Sequence, residues 1–292
     1  MTYTLGSVPV AGGDLTVGAW GGTGPLVVAA HGITTSHQAW AAIGPQLGKD
    51  HRFVAADLRG RGGSRDLPEP YGMVAHAADL AAVVRAYGGG PAVLVGHSMG
   101  GFAVLETARR YPELVDRLVL VDGGVPLPPP PGMTADADPD RIAEAVSAAV
   151  GPAYARLSMT FPSREAYRQM WREHPSFAEW NAAVDAYVDY DLVGSEPELR
   201  PACRLEAALC DARDLYRHAG STPVPVPAPA VFLRAERGML DERTPFYAPG
   251  YATMWLPGVE ESTVEDVNHY SILLGAAGAA AVVAAVQAAV RG

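Results

Sequence analysis

The chain is predicted to adopt an α/β fold: a doubly wound, mostly parallel sheet with an inserted helical cap. Three observations predict it. Short apolar runs rich in β-branched residues recur without polar alternation, the pattern of strands buried on both faces. Helix-like segments separate most of these runs, which implies parallel strands joined by crossover helices. One long stretch, between Pro126 and Pro229, breaks the alternation and is helical in character.

The elements follow in order. Residues 3–10 and 15–20 read as strands, with Gly12-Gly13 as a turn between them. The apolar runs are 26–30, 52–56, 92–95, 118–121, 230–233 and 263–267. Each ends in a polar or glycine-containing motif, and ligands of doubly wound sheets bind at the carboxyl ends of the strands. Helices are expected at 39–47, 74–87, 99–111 and 276–290. Residues 271–290 carry no charge and are long enough to span a bilayer, but they are mostly Ala and Gly, with Gln287 near the end. Alanine favours helix and anchors poorly in lipid, so a helix packed on the sheet is expected, with no membrane partner.

Pro128-Pro129-Pro130-Pro131 opens the interruption and Pro223-Val224-Pro225-Val226-Pro227 closes it. Proline-rich hinges are semi-rigid spacers. The expected organisation is a core of residues 1–126 and 223–292 with a helical cap of residues 127–222. The cap carries Tyr154, Phe161, Tyr167, Trp171, Phe177, Trp180, Tyr187 and Tyr190. Most are expected in its own core, with two or three facing a pocket.

With 292 residues, 49% of them hydrophobic, the chain is large enough for a substantial core. A net charge of −10 without a Lys/Arg cluster excludes nucleic acid as a partner. Cys203 and Cys210 lie seven apart in an expected helix, too far for a disulfide. That usage and the absence of a basic-then-apolar leader predict a cytoplasmic protein.

Gly96-His97-Ser98-Met99-Gly100-Gly101 is the stretch richest in chemistry. It follows the apolar residues 92–95 and precedes a helix. A strand, Gly-x-Ser-x-Gly and a helix form the context of a nucleophile elbow. Glycines without a Cβ permit the sharp turn, and the helix N-terminus favours developing negative charge. Ser98 is the candidate nucleophile, and a serine needs an adjacent base.

Other motifs point the same way. His31-Gly32-Ile33-Thr34 follows the run 26–30, and Asp57-Leu58-Arg59-Gly60-Arg61-Gly62-Gly63-Ser64 follows the next strand. Val267-Asn268-His269-Tyr270 comes late in the chain. In this order the motifs resemble the α/β-hydrolase superfamily, in its capped branch of esterases, C–C hydrolases and related enzymes, over nearly the whole chain. The resemblance implies His269 as the base and the order Ser…acid…His. It also implies an oxyanion hole from the Met99 and Ile33 backbone N–H groups, with Thr34 or Thr35 as a further hydroxyl donor. His31 and the pair Asp57 and Arg59 are expected to brace loops, and His97 to pack. His37, His51, His76, His174 and His218 show no ligand spacing, so no metal and no cofactor is expected.

The chain departs from the family pattern at the acid. Where relatives carry Gly-x-x-Asp, this chain reads Ala235-Glu236-Arg237-Gly238. Asp122, at the end of the run 118–121, and Asp241, in the loop beyond Gly238, are the alternatives. Asp122 is preferred because a strand end is a more rigid mount.

The expected function is a serine hydrolase of the carboxylic-ester class. It would cleave an ester, lactone or thioester of a medium-sized, partly apolar small molecule through an acyl-enzyme. The same residues also suit a C–C bond hydrolase, a perhydrolase or a cofactor-free oxygenase. A binding protein that retains the pocket without catalysis is the third reading. The cap aromatics are also available to a homo-oligomer interface.

Overall fold

β1 (Tyr3–Val10) and β2 (Gly13–Trp20) form an antiparallel hairpin. β3 (Leu26–Ala30), β4 (Arg52–Ala56), β5 (Ala92–His97) and β6 (Val115–Val121) follow. β7 (Leu192–Val193) and β8 (Arg200–Pro201) make a separate short pair, and β9 (Ala230–Ala235) and β10 (Glu260–Val264) return to the main sheet. In this computed structural model, residues 2–127, 138, 152–219 and 223–292 are described. The expected opening hinge, Pro128-Pro129-Pro130-Pro131, lies outside them.

Among the described residues the main sheet has eight strands in the order β1-β2-β4-β3-β5-β6-β9-β10. It is parallel from β4 to β10 and antiparallel at the β1–β2–β4 end. Successive side chains point to opposite faces. Val27, Ala29, Val93 and Val95 belong to one core layer, with Trp40, Val282 and Val286. Val28, Ala30, Leu94 and Leu120 belong to the other, with Leu80, Val84 and Val104. Both faces are covered, so the central strands read as continuous apolar runs rather than alternating ones.

α1 (Gly44–Leu47), α2 (Met73–Tyr87) and α3 (Met99–Arg110) follow β3, β4 and β5. The expected helix over 39–47 is instead a 3₁₀ turn, His37–Trp40, and the short α1. Pro45 lies in the first turn of α1, where it starts a helix but supplies no N–H to bond back to an earlier turn. The segment between β6 and β9 holds α4 (Pro152–Ala155), α5 (Arg164–Arg172), α6 (Ala182–Tyr190) and α7 (Leu205–Ala219). Ser163 and Asn181 cap α5 and α6 by accepting backbone N–H bonds in their first turns. Tyr154, Phe161, Tyr167, Trp171, Phe177 and Tyr187 are buried, while Trp180 and Tyr190 are half-buried.

α8 (Tyr251–Trp255) precedes β10, and α9 (Ser271–Leu274) and α10 (Ala276–Arg291) end the chain. α10 packs on β5 and β6. No described helix is long and apolar enough to cross a membrane. Two expectations are corrected here. The last strand is Glu260–Val264 rather than 263–267; it lies at the sheet edge and its residues are largely exposed, so it carries no apolar run. Cys203 precedes α7 rather than lying in it; Cys203 and Cys210 are both free thiols.

Candidate active site

Ser98 joins β5 to α3 with φ 54° and ψ −123°, a backbone strained for a residue with a Cβ. Its surroundings enforce the turn. A Cβ on Gly96 would lie 2.2 Å from Gly100 O, and one on Gly100 would lie 2.1 Å from Ala30 O. Only glycine permits either approach. Ser98 is half-buried, so its hydroxyl is reachable. The Ser98 N–H donates to Val121 O at 3.0 Å, which places the serine beside the end of β6.

Asp122 is the next residue on that strand end, fully buried with φ 44°. Its Oδ1 accepts the Ala235 N–H at 3.1 Å from the neighbouring strand β9. Its Oδ2 accepts from His269 Nδ1 at 2.7 Å. That bond puts the proton of a neutral His269 on Nδ1 and leaves Nε2 without one. His269 comes from the loop between β10 and α9, which Asn268 holds. Asn268 Oδ1 accepts the N–H groups of Tyr270 and Ser271, and its Nδ2 donates to Ser176 O at 3.2 Å and to Asp241 Oδ1 at 3.0 Å.

Asp241 therefore does not face His269. Its other oxygen lies 3.4 Å from Arg237 Nη1. Position 238 cannot hold an aspartate in this fold either. A Cβ there would meet the Glu242 carboxyl at 2.3 Å and Thr244 O at 2.6 Å.

His97 follows the strand rather than the elbow. Its Nε2 donates to His269 O at 2.9 Å and its ring packs on the His269 ring at 4.5 Å. It is a second brace on His269, a role no spacing in the sequence signals. His31 braces the opposite side. Its Nε2 accepts the Leu58 N–H at 3.0 Å, so Nδ1 carries the proton it donates to Gly32 O at 2.7 Å. The N–H of Ile33 belongs to the same planar peptide as Gly32 O and points the other way. A Cβ on Gly32 would lie 3.7 Å from Ser98 Oγ, so this loop runs against the serine. Met99 is the first residue of α3, where an N–H has no intrahelical acceptor. The two expected oxyanion donors thus come from elements that meet at Ser98. Thr34 and Thr35 are both buried, and Thr35 Oγ1 has no partner among the described residues.

Asp57 braces loops. It accepts from His37 N, His37 Nδ1, Gly63 N and Tyr190 OH at 2.7–2.8 Å. Arg59 pairs with Asp79 at 2.7 Å. Among the described residues, no cluster of His, Cys, Asp and Glu is arranged to hold a metal ion.

Burial lowers His31 to about 3, the nearby Asp57 opposing it only in part. Burial likewise holds His97 well below its ordinary value, and His269 adds to the effect. Both rings are neutral in the fold and take up protons near pH 6.5 when unfolded. Their contribution to stability is complete above pH ~6.5 and is lost as pH falls from there towards 3. Urea unfolding at successive pH values is expected to show stability declining through that window, by on the order of a few kcal/mol. A flat profile between pH 6.5 and 4 would contradict the assignment.

Residues 25–147 match the family described as alpha/beta hydrolase fold. The chain is 32% identical over 217 residues to N-formylmaleamate deformylase of Pseudomonas putida, covering 68% of this chain and 77% of that one. It is 29% identical over 143 residues to an uncharacterized protein of Mycobacterium bovis, covering 49% of this chain. The chain spans about two fifths of the length of that relative, 40%. Among solved structures, E-2-(acetamidomethylene)succinate hydrolase aligns over 100% of both chains with a TM-score of 0.76 and 22% identity, a likeness of fold.

Proposed function

From a chain that belongs to the α/β-hydrolase superfamily, we propose a serine hydrolase acting through an acyl-enzyme on a carboxylic ester, lactone or thioester. The observation that carries this reading is the buried Asp122–His269 pair beside a serine held in a strained elbow. Ser98 Oγ attacks the carbonyl carbon while His269 Nε2 takes its proton. Asp122 holds the ring and stabilises the imidazolium. The Ile33 and Met99 N–H groups receive the oxyanion of the tetrahedral intermediate. Collapse expels the alcohol or thiol, which leaves with the proton from His269. Water, deprotonated by His269, then releases the acid and restores Ser98.

The segment between β6 and β9 acts as the cap. Arg156, a buried cation on it, already pairs with Asp191 at 2.7 Å and packs over Trp171 at 4.9 Å. Trp171 and Phe177 pack on Tyr270, the residue after His269, and Tyr187 packs on both Trp171 and Phe177, which supports a partly apolar acyl group of medium size as the substrate.

The deformylase relative favours a second reading, cleavage of an N-acyl bond. The chemistry is the same, with His269 protonating a departing amine. One experiment separates the readings. The protein is offered p-nitrophenyl esters of increasing acyl length, lactones, thioesters and N-formyl amides, and is separately treated with a fluorophosphonate. Ester turnover and a single phosphonate adduct on Ser98 are expected. Turnover confined to N-formyl amides selects the second reading. No adduct and no turnover on any substrate would leave a binding protein.

A further inference from the structure

The loop after β3 presents two successive carbonyls, and each receives a buried guanidinium. Arg61 Nε donates to Ile33 O at 2.9 Å, and Arg156 Nη2 donates to Thr34 O at 2.6 Å. Both arginines are fully buried. Each is paired with a carboxylate that lies between β6 and β9: Asp211 on α7 for Arg61, at 2.5 Å, and Asp191 after α6 for Arg156. The peptide chain that supplies one oxyanion donor is therefore tied to the cap at two adjacent residues.

The Arg61 connection reaches further. Its Nη2 also approaches Met99 Sδ at 3.9 Å, and its Nη1 donates to Arg59 O at 2.9 Å. One guanidinium thus touches both residues whose amides face the reacting carbonyl in the proposed mechanism. A guanidinium has a fixed fork, so its orientation is set by whatever accepts its outer hydrogens. Here that is Asp211, which is itself held. Its Oδ1 accepts the Gly72 N–H at 2.6 Å, and its Oδ2 lies 3.0 Å from His76 Nε2. Burial pushes the Asp211 carboxyl up, but Arg61 and His76 outweigh it and keep it below the ordinary carboxylate range. The pair stays charged at neutral pH.

We propose that Asp211 is a positioning residue for the oxyanion hole: through Arg61 it sets the Ile33 segment, so that the seating of α7 on the core is transmitted to the site. The inference rests on the reading of Ile33 as an oxyanion donor. It predicts that cap and catalysis are coupled through one ion pair rather than through steric closure alone.

The test compares two carboxylates of the same helix. Asp214 Oδ2 accepts the Met73 N–H at 2.8 Å and so also seats α7 on α2. Asp211→Asn keeps shape and an acceptor for Gly72 but removes the charge that orients Arg61. Its kcat is expected to fall about 10–100-fold with KM within about threefold. Affinity for a trifluoromethyl ketone, which mimics the tetrahedral state, is expected to fall in step with kcat/KM. Asp214→Asn is expected to lose as much thermal stability and to keep kcat within about twofold.

A second readout needs no turnover. The backbone amide resonances of Ile33 and Met99 are expected to shift in Asp211→Asn and to stay in place in Asp214→Asn. If Asp211→Asn does not fold, Arg61→Lys reads the same contact, because lysine keeps the charge and loses the fork. Equal kcat losses in the two aspartate variants, or unmoved Ile33 and Met99 resonances in the variant that breaks the Arg61 contact, overturn the proposal. If the wild-type protein forms no phosphonate adduct and turns nothing over, the acyl-transfer reading fails. The amide shifts then still decide whether Asp211 sets the Ile33 segment.

Discussion

Asp122→Asn lowers kcat about 10³–10⁴-fold, whereas Asp241→Asn leaves it within about threefold. The two aspartates differ in what they hold. Asp122 has both oxygens committed, one to the Ala235 N–H and one to His269 Nδ1. An asparagine offers only one acceptor in that space, and the Ala235 amide competes for it. If its NH₂ turns to His269, the imidazole must present Nδ1 as an acceptor and carry its proton on Nε2. That is the wrong tautomer for taking a proton from Ser98. Asp241 supports the His269 loop indirectly, through Asn268 Nδ2 and Arg237. Asparagine at 241 can still accept from Asn268. Initial rates on the best ester, with circular dichroism as a control for folding, check both variants. A near-normal rate for Asp122→Asn with a large loss for Asp241→Asn would reverse the assignment.

Ser98→Ala abolishes acyl-enzyme formation. Turnover is expected to fall by about 10⁴–10⁶-fold, and the fluorophosphonate adduct to disappear. The fold should survive, because Ser98 is half-buried and its backbone is held by the Val121 O bond and by the glycine contacts around it. A thermal midpoint close to that of the parent accompanies the loss of rate. Intact-mass spectrometry after probe treatment gives the adduct, and a chromogenic ester gives the rate. Turnover in Ser98→Ala at more than a tenth of the parent rate would require a different nucleophile.

Much of this architecture is legible in the residues because burial writes itself into composition. β3 and β5 lie under helices on both faces, so Leu26–Ala30 and the residues before Gly96 read as unbroken apolar runs. The elbow is legible for a steric reason: Gly96 and Gly100 stand where no Cβ fits. Legibility fails where burial is partial. β10 is an edge strand of exposed Glu, Ser and Thr, so the apolar pattern falls three residues beyond its true start. Pro45 also divides an expected helix at a position where composition alone reads as continuous.

What the sequence determined by itself was the local chemistry: a serine on a strand-to-helix turn, a late histidine, and two aspartates as candidate acids. Those are properties of neighbours along the chain. Which aspartate meets His269 was decided only by the tertiary structure. β6 and β9 lie side by side, and their contact brings Asp122 and the Ala235 amide together beside a loop 147 positions away from Asp122. The same holds for Arg61 and Asp211. A charge pair of this kind forms between residues 150 positions apart, and its sign and distance appear only once α7 has docked. Steric rules act between adjacent residues and can be read in order. Electrostatic partners are chosen by packing, which the order of residues does not state.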